Sequence, residues 1–195
     1  MTDQNAAEGR PAIGGNSALF FGAAIIGAAV DLWTKHAVFA WRGEPGRNPV
    51  WWLCENFVGI ETAVNEGALF GMGQGRVGLF AVISLFAVVG LVVWFFGGGA
   101  VRDRWMSFIL GCILGGILGN LYDRLGLWGF AGVRDWILFC YTEAHKWPNF
   151  NIADSLLVCG VALLMWRAYM APPVPAENAT DHSSGARPSG ADGRS

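Results

Sequence analysis

Charged residues are scarce in this sequence. They make up 14% of its 195 residues, whereas a soluble domain averages about 25%. The 13 basic and 15 acidic residues leave a net charge of −2, so the chain lacks the basic stripe that a nucleic-acid partner requires. The composition argues against nucleic-acid binding and favours a chain that spends most of its length in an apolar environment.

Cysteine is scarce as well. The four cysteines, Cys54, Cys112, Cys140 and Cys159, form no CxxC pair, and no histidine stands at zinc-ligand spacing from them. We therefore expect no metal site. A thiol inside an apolar segment, such as Cys112 or Cys159, usually packs as a small hydrophobe. Cys54 and Cys140 fall in loops and could form a disulfide, although nothing in their spacing demands one.

Long hydrophobic runs, by contrast, are abundant. About 20 apolar helical residues span a bilayer core about 30 Å thick. Four stretches meet or nearly meet this requirement: 18–41, 77–96, 105–122 and 155–170. They predict an all-α membrane protein with four transmembrane helices, at about 17–41, 77–97, 104–124 and 152–170.

The remaining segments complete the predicted organisation. Residues 17–170 form one membrane domain, residues 1–16 a flexible N-terminal segment, and residues 171–195 a disordered tail without apolar periodicity. A cleavable signal sequence is an alternative for the first run. That run lacks a strongly basic start and an evident cleavage site, so we expect a retained helix.

Four spans place both termini on one side of the membrane and the two long loops, 42–76 and 123–150, on the other. Counting lysine and arginine near the helix ends does not decide which side is cytoplasmic. Polar residues collect at the loop side, where charges at membrane depth indicate function. They are Asp31, Thr34, Lys35, Asn65, Asn120, Asp123, Arg124, Asp135, Asn151 and Asp154.

Several of these residues have a structural as well as a functional interpretation. Asp31 and Lys35 stand at the i, i+4 spacing of a helical ion pair. Asn151 and Asp154 could be a helix cap with no catalytic role. Arg124 could extend to the interface, with the neighbouring Asp123 as its partner. Further along the third helix, Gly111, Gly115 and Gly119 share one face, which permits close helix packing.

Four short stretches, taken in order, resemble one known family. They are "DLWTK" (31–35), "NEGALFG" (65–71), "GGILGNLYDR" (115–124) and "GVRDW…WPNFNIADS" (132–155). Together they are similar to lipoprotein signal peptidase, or signal peptidase II. The resemblance implies a bacterial intramembrane aspartic endopeptidase that removes signal peptides from diacylglyceryl-modified prolipoproteins, cutting before the lipidated cysteine.

The resemblance also implies a location and an architecture. The protein would lie in the bacterial inner membrane with both termini cytoplasmic and its active site near the extracytoplasmic face. The first loop would form a small β-rich extracytoplasmic cradle over about residues 48–70. The segment after Asp135 would form a flap-like loop over the substrate. Lipidated prolipoproteins and membrane lipids would be its partners, and we expect a monomer.

Residue by residue, the resemblance assigns Asp135 and Asp154 as the catalytic acids. It assigns six residues to substrate binding or site shaping: Asn65, Gly67, Asn120, Arg124, Asn151 and Ala153. Asp31 and Lys35 match a structural pair. The sequence departs from the family at Trp136, where Phe is preferred, and in the eleven residues between Asp123 and Asp135. An alternative alignment would make Asp123 the first acid.

Paired acids suit peptide hydrolysis without a metal or other cofactor. Two neighbouring carboxylates share a proton, so one member can accept a proton from water while the other donates. Asp154, at a helix start, is expected to be the ionised member. A small proton- or ion-coupled transporter and an inactive assembly subunit are the alternatives. The absence of charge between 77 and 96 disfavours a proton path.

Overall fold

The computed structural model of the chain describes residues 13–67, 73–142 and 145–170. In this part of the chain, four helices are long and apolar enough to cross a membrane, as predicted. They are α1 (Ile13–Arg42), α2 (Val77–Gly97), α3 (Arg104–Arg124) and α4 (Ile152–Met170). Helix α1 begins within the segment 1–16 that the sequence assigned to a flexible terminus. The rest of that segment and the predicted tail 171–195 lie outside the described residues.

Helix α3 lies at the centre of the bundle. In its most apolar 18-residue window, 61% of the residues are buried inside the protein. The corresponding share is 17% for α1 and 11% for each of α2 and α4. The outer helices therefore direct most of their apolar side chains outward, as lipid-facing helices do. The central helix is where side chains from the other helices can meet.

Glycines let the neighbouring helices approach α3 closely. A Cβ added at Gly115 would lie 2.8 Å from the carbonyl oxygen of Ala24 on α1. A Cβ added at Gly116 would lie 2.6 Å from the carbonyl oxygen of Ala153 on α4. The close packing predicted from the glycine spacing is present, and it brings both helices against α3 at backbone distance.

The end of the bundle that carries the described chain termini is closed by apolar packing and one exposed ion pair. Phe20 of α1 stacks on Phe95 of α2, with ring centroids 4.0 Å apart, beside the buried Leu110 of α3. Asp103 caps α3, and its side chain also pairs with Arg167 of α4. The polar site lies at the opposite end.

A small antiparallel sheet covers that opposite end. Its strands, in spatial order, are β1 (Trp51–Cys54), β2 (Val58–Asn65), β3 (Val133–Thr142) and the two-residue β4 (His145–Lys146). The first loop supplies β1 and β2, within the predicted cradle, and the second loop supplies β3 and β4. The segment after Asp135, expected as a flap-like loop, is thus a sheet strand. Its run of β-branched and aromatic residues favours this conformation.

Strand β3 is held along both edges. On one edge it pairs with β2, which sets Ala63 opposite Asp135. On the other, the backbone N–H groups of Trp136 and Ile137 donate to the carbonyl oxygen of Phe150 at 3.0 and 2.9 Å. Phe150 stands two residues before α4, so these hydrogen bonds place the start of α4 beside β3.

The two loop cysteines do not form a disulfide. Cys54 is exposed, Cys140 is buried, and both are free thiols. The backbone N–H of Cys140 donates instead to the carbonyl oxygen of Phe57 at 2.8 Å. Backbone pairing, without a covalent link, joins the two loops.

The contact at Gly115 leads to a stability prediction. Gly115→Ala should lower the free energy of unfolding by about 1–3 kcal/mol, because the added methyl group overlaps the α1 backbone. Thermal unfolding in detergent measures this change. Gly90→Ala on α2 is the matched control, because nothing lies within 4 Å of a Cβ built there. Equal melting temperatures for the two variants would contradict the close packing.

Candidate active site

Two carboxylates meet at the sheet end of the bundle. Asp135 lies on β3 and is only 2% exposed, whereas Asp154 lies in the first turn of α4 and is half-buried. Asn151 contacts both of them. Its Nδ2 donates to Asp135 Oδ1 at 2.6 Å, and its backbone N–H donates to Asp154 Oδ2 at 3.2 Å. One residue therefore bridges the strand acid and the helix acid.

Asn151 and Asp154 also cap α4. The Asn151 Oδ1 accepts from the backbone N–H of Asp154 at 2.9 Å, and Asp154 Oδ2 accepts from the backbone N–H of Asn151. This reciprocal pair is a capping box, so the capping interpretation of the sequence is confirmed. The cap uses only one oxygen of Asp154, which leaves Oδ1 for other contacts.

Hydrogen bonds to their oxygen atoms fix the orientation of the amide side chains around the acids. Because the Asn151 Oδ1 faces the N–H of Asp154, its Nδ2 must face Asp135. Asn120 Oδ1 accepts from the ammonium of Lys35 at 2.9 Å, so its Nδ2 faces Asp154 Oδ1, at 2.8 Å. A lysine ammonium can only donate. Each acid thus receives an N–H donor whose direction does not depend on the acid itself.

A third amide reaches the site from the first loop. The side-chain oxygen of Asn65 accepts from the backbone N–H of the buried Gly67 at 3.0 Å. The side chain of Asn65 is also hydrogen-bonded to Asp135. Within the "NEG" motif, Asn65 therefore contacts Asp135, and the backbone N–H of Gly67 orients the Asn65 side chain.

Beneath the acids lies a fully buried lysine. The Lys35 ammonium is 2.7 Å from Asp31 Oδ2 and 3.1 Å from Asp123 Oδ2, and all three side chains are 0% exposed. Together with the Asn120 oxygen, these contacts surround the ammonium with three oxygen atoms, two of them from carboxylates. The i, i+4 ion pair predicted from the sequence is present.

Asp31 joins three helices. Its Oδ1 accepts from the backbone N–H of Ala153 in the first turn of α4, at 2.9 Å, and its Oδ2 pairs with Lys35. On α3, a side chain at Gly119 would overlap the Asp31 carboxylate. Because Asp31 and Lys35 are sealed from the surface, these contacts favour the structural over the catalytic interpretation of the pair.

Asp123 has a partner that the sequence did not indicate. Arg134 Nε and Nη2 donate to Asp123 Oδ1 at 3.1 and 2.7 Å, and the backbone N–H of Arg134 donates to Oδ2 at 3.0 Å. Asp123 is therefore paired with Arg134 and Lys35, not with Arg124 as considered from the sequence. Both of its oxygens are occupied and buried, which disfavours the alignment that makes Asp123 the first acid.

A cavity of about 530 Å³ opens beside Asp154. Its polar wall includes Asn65, Arg124 and Asp154, and most of the rest is apolar or aromatic. The other lining residues are Phe57, Val133, Phe139, Cys140, Tyr141, Trp147, Pro148, Asn149, Phe150, Ser155, Val158 and Cys159. Of the two acids, Asp154 lines this cavity and Asp135 does not, and both α4 and β3 contribute to its wall.

Arg124 lines this cavity near the two acids. Its Nη1 is 3.5 Å from Ser84 Oγ on α2, and among the described residues it forms no ion pair within 4 Å. A charged group placed at the cavity wall, without a carboxylate bound to it, is available to a substrate. The position favours a site role over simple extension to the interface.

Comparison with known proteins identifies the family. A family model described as signal peptidase (SPase) II matches residues 23–170, about three-quarters of the chain. The chain belongs to the signal peptidase II family. The match covers both acids, the three amides, α2 to α4, and α1 from residue 23 onwards.

Individual relatives agree with this assignment. A lipoprotein signal peptidase of Rhodopirellula baltica is 54% identical over 160 residues, covering 78% of this chain and 72% of the relative. One of Rhodococcus jostii is 38% identical over 147 residues, covering 75% and 70%. A solved bacterial membrane enzyme superposes with a TM-score of 0.66 at 28% identity, covering 80% of this chain and 88% of that one.

Trp136 follows Asp135 directly on β3. The indole Nε1 is buried, and among the described residues it has no hydrogen-bond acceptor. Its backbone N–H keeps the hydrogen bond to Phe150 that joins β3 to α4. The side chain of Trp136 is therefore buried while its backbone takes part in the contact that places β3 beside the start of α4.

Electrostatics in this signal peptidase II site favour a proton on Asp135. Burial, and next the charge of Asp154, raise the pKa of Asp135 to about 8, whereas an ordinary aspartate has a pKa of about 3.9. Hydrogen bonds from Asn151 and Asn65 and the charge of Lys35 oppose the shift. At neutral pH, the raised pKa favours the protonated form of Asp135.

Removing Lys35 should destabilise the protein strongly. Lys35→Met leaves two buried carboxylates, Asp31 and Asp123, without their shared cation, and such a loss costs about 3–5 kcal/mol. The matched control is Lys146→Met, which breaks an exposed pair with Glu61 at 3.7 Å and should cost no more than about 1 kcal/mol. Thermal unfolding of both variants gives the comparison, and similar melting temperatures would contradict the buried ion cluster.

The raised pKa of Asp135 predicts a pH-dependent stability difference. Folded Asp135 holds its proton up to about pH 8, while the unfolded chain releases it near pH 4, so this stabilisation is lost as pH rises between those values. Asp135→Asn carries no such proton.

The free energy of unfolding of Asp135→Asn, relative to the parent, should therefore rise from about pH 5 to about pH 8. Thermal unfolding across this range measures it. The exposed Glu55→Gln variant should follow the parent at every pH. A constant difference between Asp135→Asn and the parent would exclude a proton held by Asp135.

Proposed function

We propose that this chain is an intramembrane aspartic endopeptidase that removes signal peptides from diacylglyceryl-modified prolipoproteins, cleaving before the lipidated cysteine. The observation that carries the proposal is the pair Asp135 and Asp154, bridged by Asn151, with Asp154 lining a largely apolar cavity. The relatives described as lipoprotein signal peptidases support the substrate class.

The two acids take opposite roles in the proposed reaction. Asp135, with its raised pKa, holds the shared proton at neutral pH. Asp154 acts as the ionised base, because it lies at the positive end of the α4 dipole and accepts N–H groups from Asn120 and Asn151. The pair titrates as a unit, so the two steps of a pH profile belong to both residues.

Hydrolysis then needs only these acids and water. Asp154 accepts a proton from water as the water oxygen adds to the scissile carbonyl carbon, while Asp135 gives its proton to the carbonyl oxygen. When the tetrahedral intermediate collapses, a hydroxyl proton returns to Asp135, the C–N bond breaks, and Asp154 gives its proton to the leaving amine. Both carboxyl groups end in their starting states.

The cavity suits a substrate that is partly lipid. Val158 and Cys159 follow Asp154 along α4 by about one turn, and Phe139 of β3 also lines the cavity. Apolar chains placed against these residues gain about 25 cal/mol per Å² of buried area. Asn65 and Arg124, on the polar wall, are placed to bind the peptide groups around the scissile bond.

The proposal also fixes an orientation. Both long loops lie at one end of the bundle, since β2 and β3 pair with each other. We place this end at the extracytoplasmic face of the bacterial inner membrane, with both termini cytoplasmic, and the enzyme acts as a monomer. A transporter is less consistent, because the buried charges Asp31, Lys35 and Asp123 cluster at that one end of the described helices.

The test is cleavage of a diacylglyceryl-modified prolipoprotein by the purified chain in detergent. Asp135→Asn and Asp154→Asn should each lower kcat by about 10²–10⁴-fold, because each removes one proton-transfer group. Both should remain folded, since an amide has nearly the size of the carboxyl group and its oxygen can still accept one of the hydrogen bonds from the neighbouring asparagines. The control Glu55→Gln removes an exposed carboxylate and should cleave at the parent rate.

Melting temperatures of all four proteins separate loss of chemistry from loss of fold. Near-parent cleavage by either aspartate variant would refute the assignment of that acid. Failure of the parent protein to cleave the lipidated precursor, while folded, would refute the proposed substrate.

A further inference from the structure

Arg134 directly precedes Asp135 and has no part in the chemistry described so far. It is 5% exposed. Its guanidinium donates twice to Asp123 at the end of α3 and lies over the ring of Trp128, 4.9 Å from the ring centroid. An arginine held by a carboxylate and an aromatic face has little freedom of movement.

The backbone of Arg134 is held as firmly as its side chain. Its N–H donates to Asp123 Oδ2 at 3.0 Å. Its carbonyl oxygen lies 3.3 Å from Asn151 Nδ2, the same group that donates to Asp135 Oδ1. The peptide leading into Asp135 is therefore attached both to α3 and to the bridging amide.

Arg134 also completes a neutral set of buried charges. Asp31 and Asp123 are negative, and Lys35 and Arg134 are positive. This set is called here the four-charge cluster, and it lies directly beneath the two acids. Removing one positive member would leave a net negative charge in a region of low dielectric constant, where it acts strongly on nearby titrating groups.

We propose that Arg134 is a positioning residue for the peptidase reaction: it ties the Asp135 strand to α3 and keeps the four-charge cluster neutral. The proposal rests on the proposed function, because its readouts come from cleavage. Arg134 is buried behind the acids, so it acts through Asp135 and does not touch the substrate.

The charged groups around Asp135 come from every element packed near it. Asp154 of α4 and Lys35 of α1 act on it directly, while Asp123 and Arg124 of α3, Asp31 of α1 and Arg134 itself complete the surroundings. Strand β2 contributes the neutral Asn65. Loss of the Arg134 charge raises the pKa of Asp135, because a nearby cation favours the ionised carboxylate.

The experiment measures kcat, KM and the pH profile of lipidated-precursor cleavage by the full chain in detergent. Arg134→Gln should lower kcat by about tenfold or more, because a misplaced acid costs rate, with KM within about twofold of the parent. Its pH profile should shift to higher pH by about half a unit or more. Arg134→Lys, which keeps the charge, should keep the parent profile.

A double variant separates charge from geometry. Asp123→Asn with Arg134→Gln restores neutrality to the cluster, so its pH profile should return towards that of the parent although the strand contact is still lost. The matched control is Arg167→Gln, which breaks the Arg167–Asp103 ion pair at the far end of the bundle. It should change neither kcat nor the profile.

Each outcome decides the proposal. An unshifted profile for a folded Arg134→Gln, or a kcat equal to that of the parent, would overturn it. If Arg134→Gln does not fold, Arg134→Lys and the double variant carry the test. A shifted profile for Arg134→Lys, or a parent-like kcat for the double variant, which lacks the strand contact, would overturn it. A parent that does not cleave at all refutes the proposed function instead.

Discussion

The ammonium of Lys35 is the interaction on which the rest of the site depends. Burying an ammonium is costly unless it is paired and hydrogen-bonded, and here Lys35 is ion-paired with Asp31 and Asp123 and donates to Asn120. Each acceptor then performs a second task. Asp31 caps α4, Asp123 binds Arg134, and Asn120 directs its amide towards Asp154. One buried cation thereby connects three helices and β3.

This arrangement explains why neutral amides surround the acids. A second cation in direct contact would favour two ionised carboxylates and remove the shared proton. Amides held by fixed partners donate hydrogen bonds without adding net charge. The positive charge of Lys35 is balanced by its neighbouring carboxylates below the acids. The pKa of Asp135 therefore depends mainly on burial and on the charge of Asp154.

The helices were predictable because a continuous apolar run of about 20 residues usually forms a transmembrane helix. The ion pair of Asp31 with Lys35 was predictable because helical spacing is local. The bond between Asp123 and Arg134 was not, since no periodicity links a helix end to a strand eleven residues later. Similarly, the segment after Asp135 was expected as a flap, because pairing with β2 depends on contacts between distant loops. Family resemblance, not spacing, brought Asp135 and Asp154 together as candidates.

The hydrogen bonds between Phe150 and β3 affect how the site responds to the surrounding bilayer. Helices tilt when the lipid around them becomes thicker or thinner. Among the described residues, α2 supplies no hydrogen bond to either acid, and both acids lie on one continuous stretch whose two ends are joined by backbone contacts at Phe150. A tilt of α2 acts on the contact between Ser84 and Arg124, whereas the hydrogen bonds to the two acids come from α3, from Asn151 before α4 and from the first loop. The geometry of the acid pair thus depends on elements other than α2.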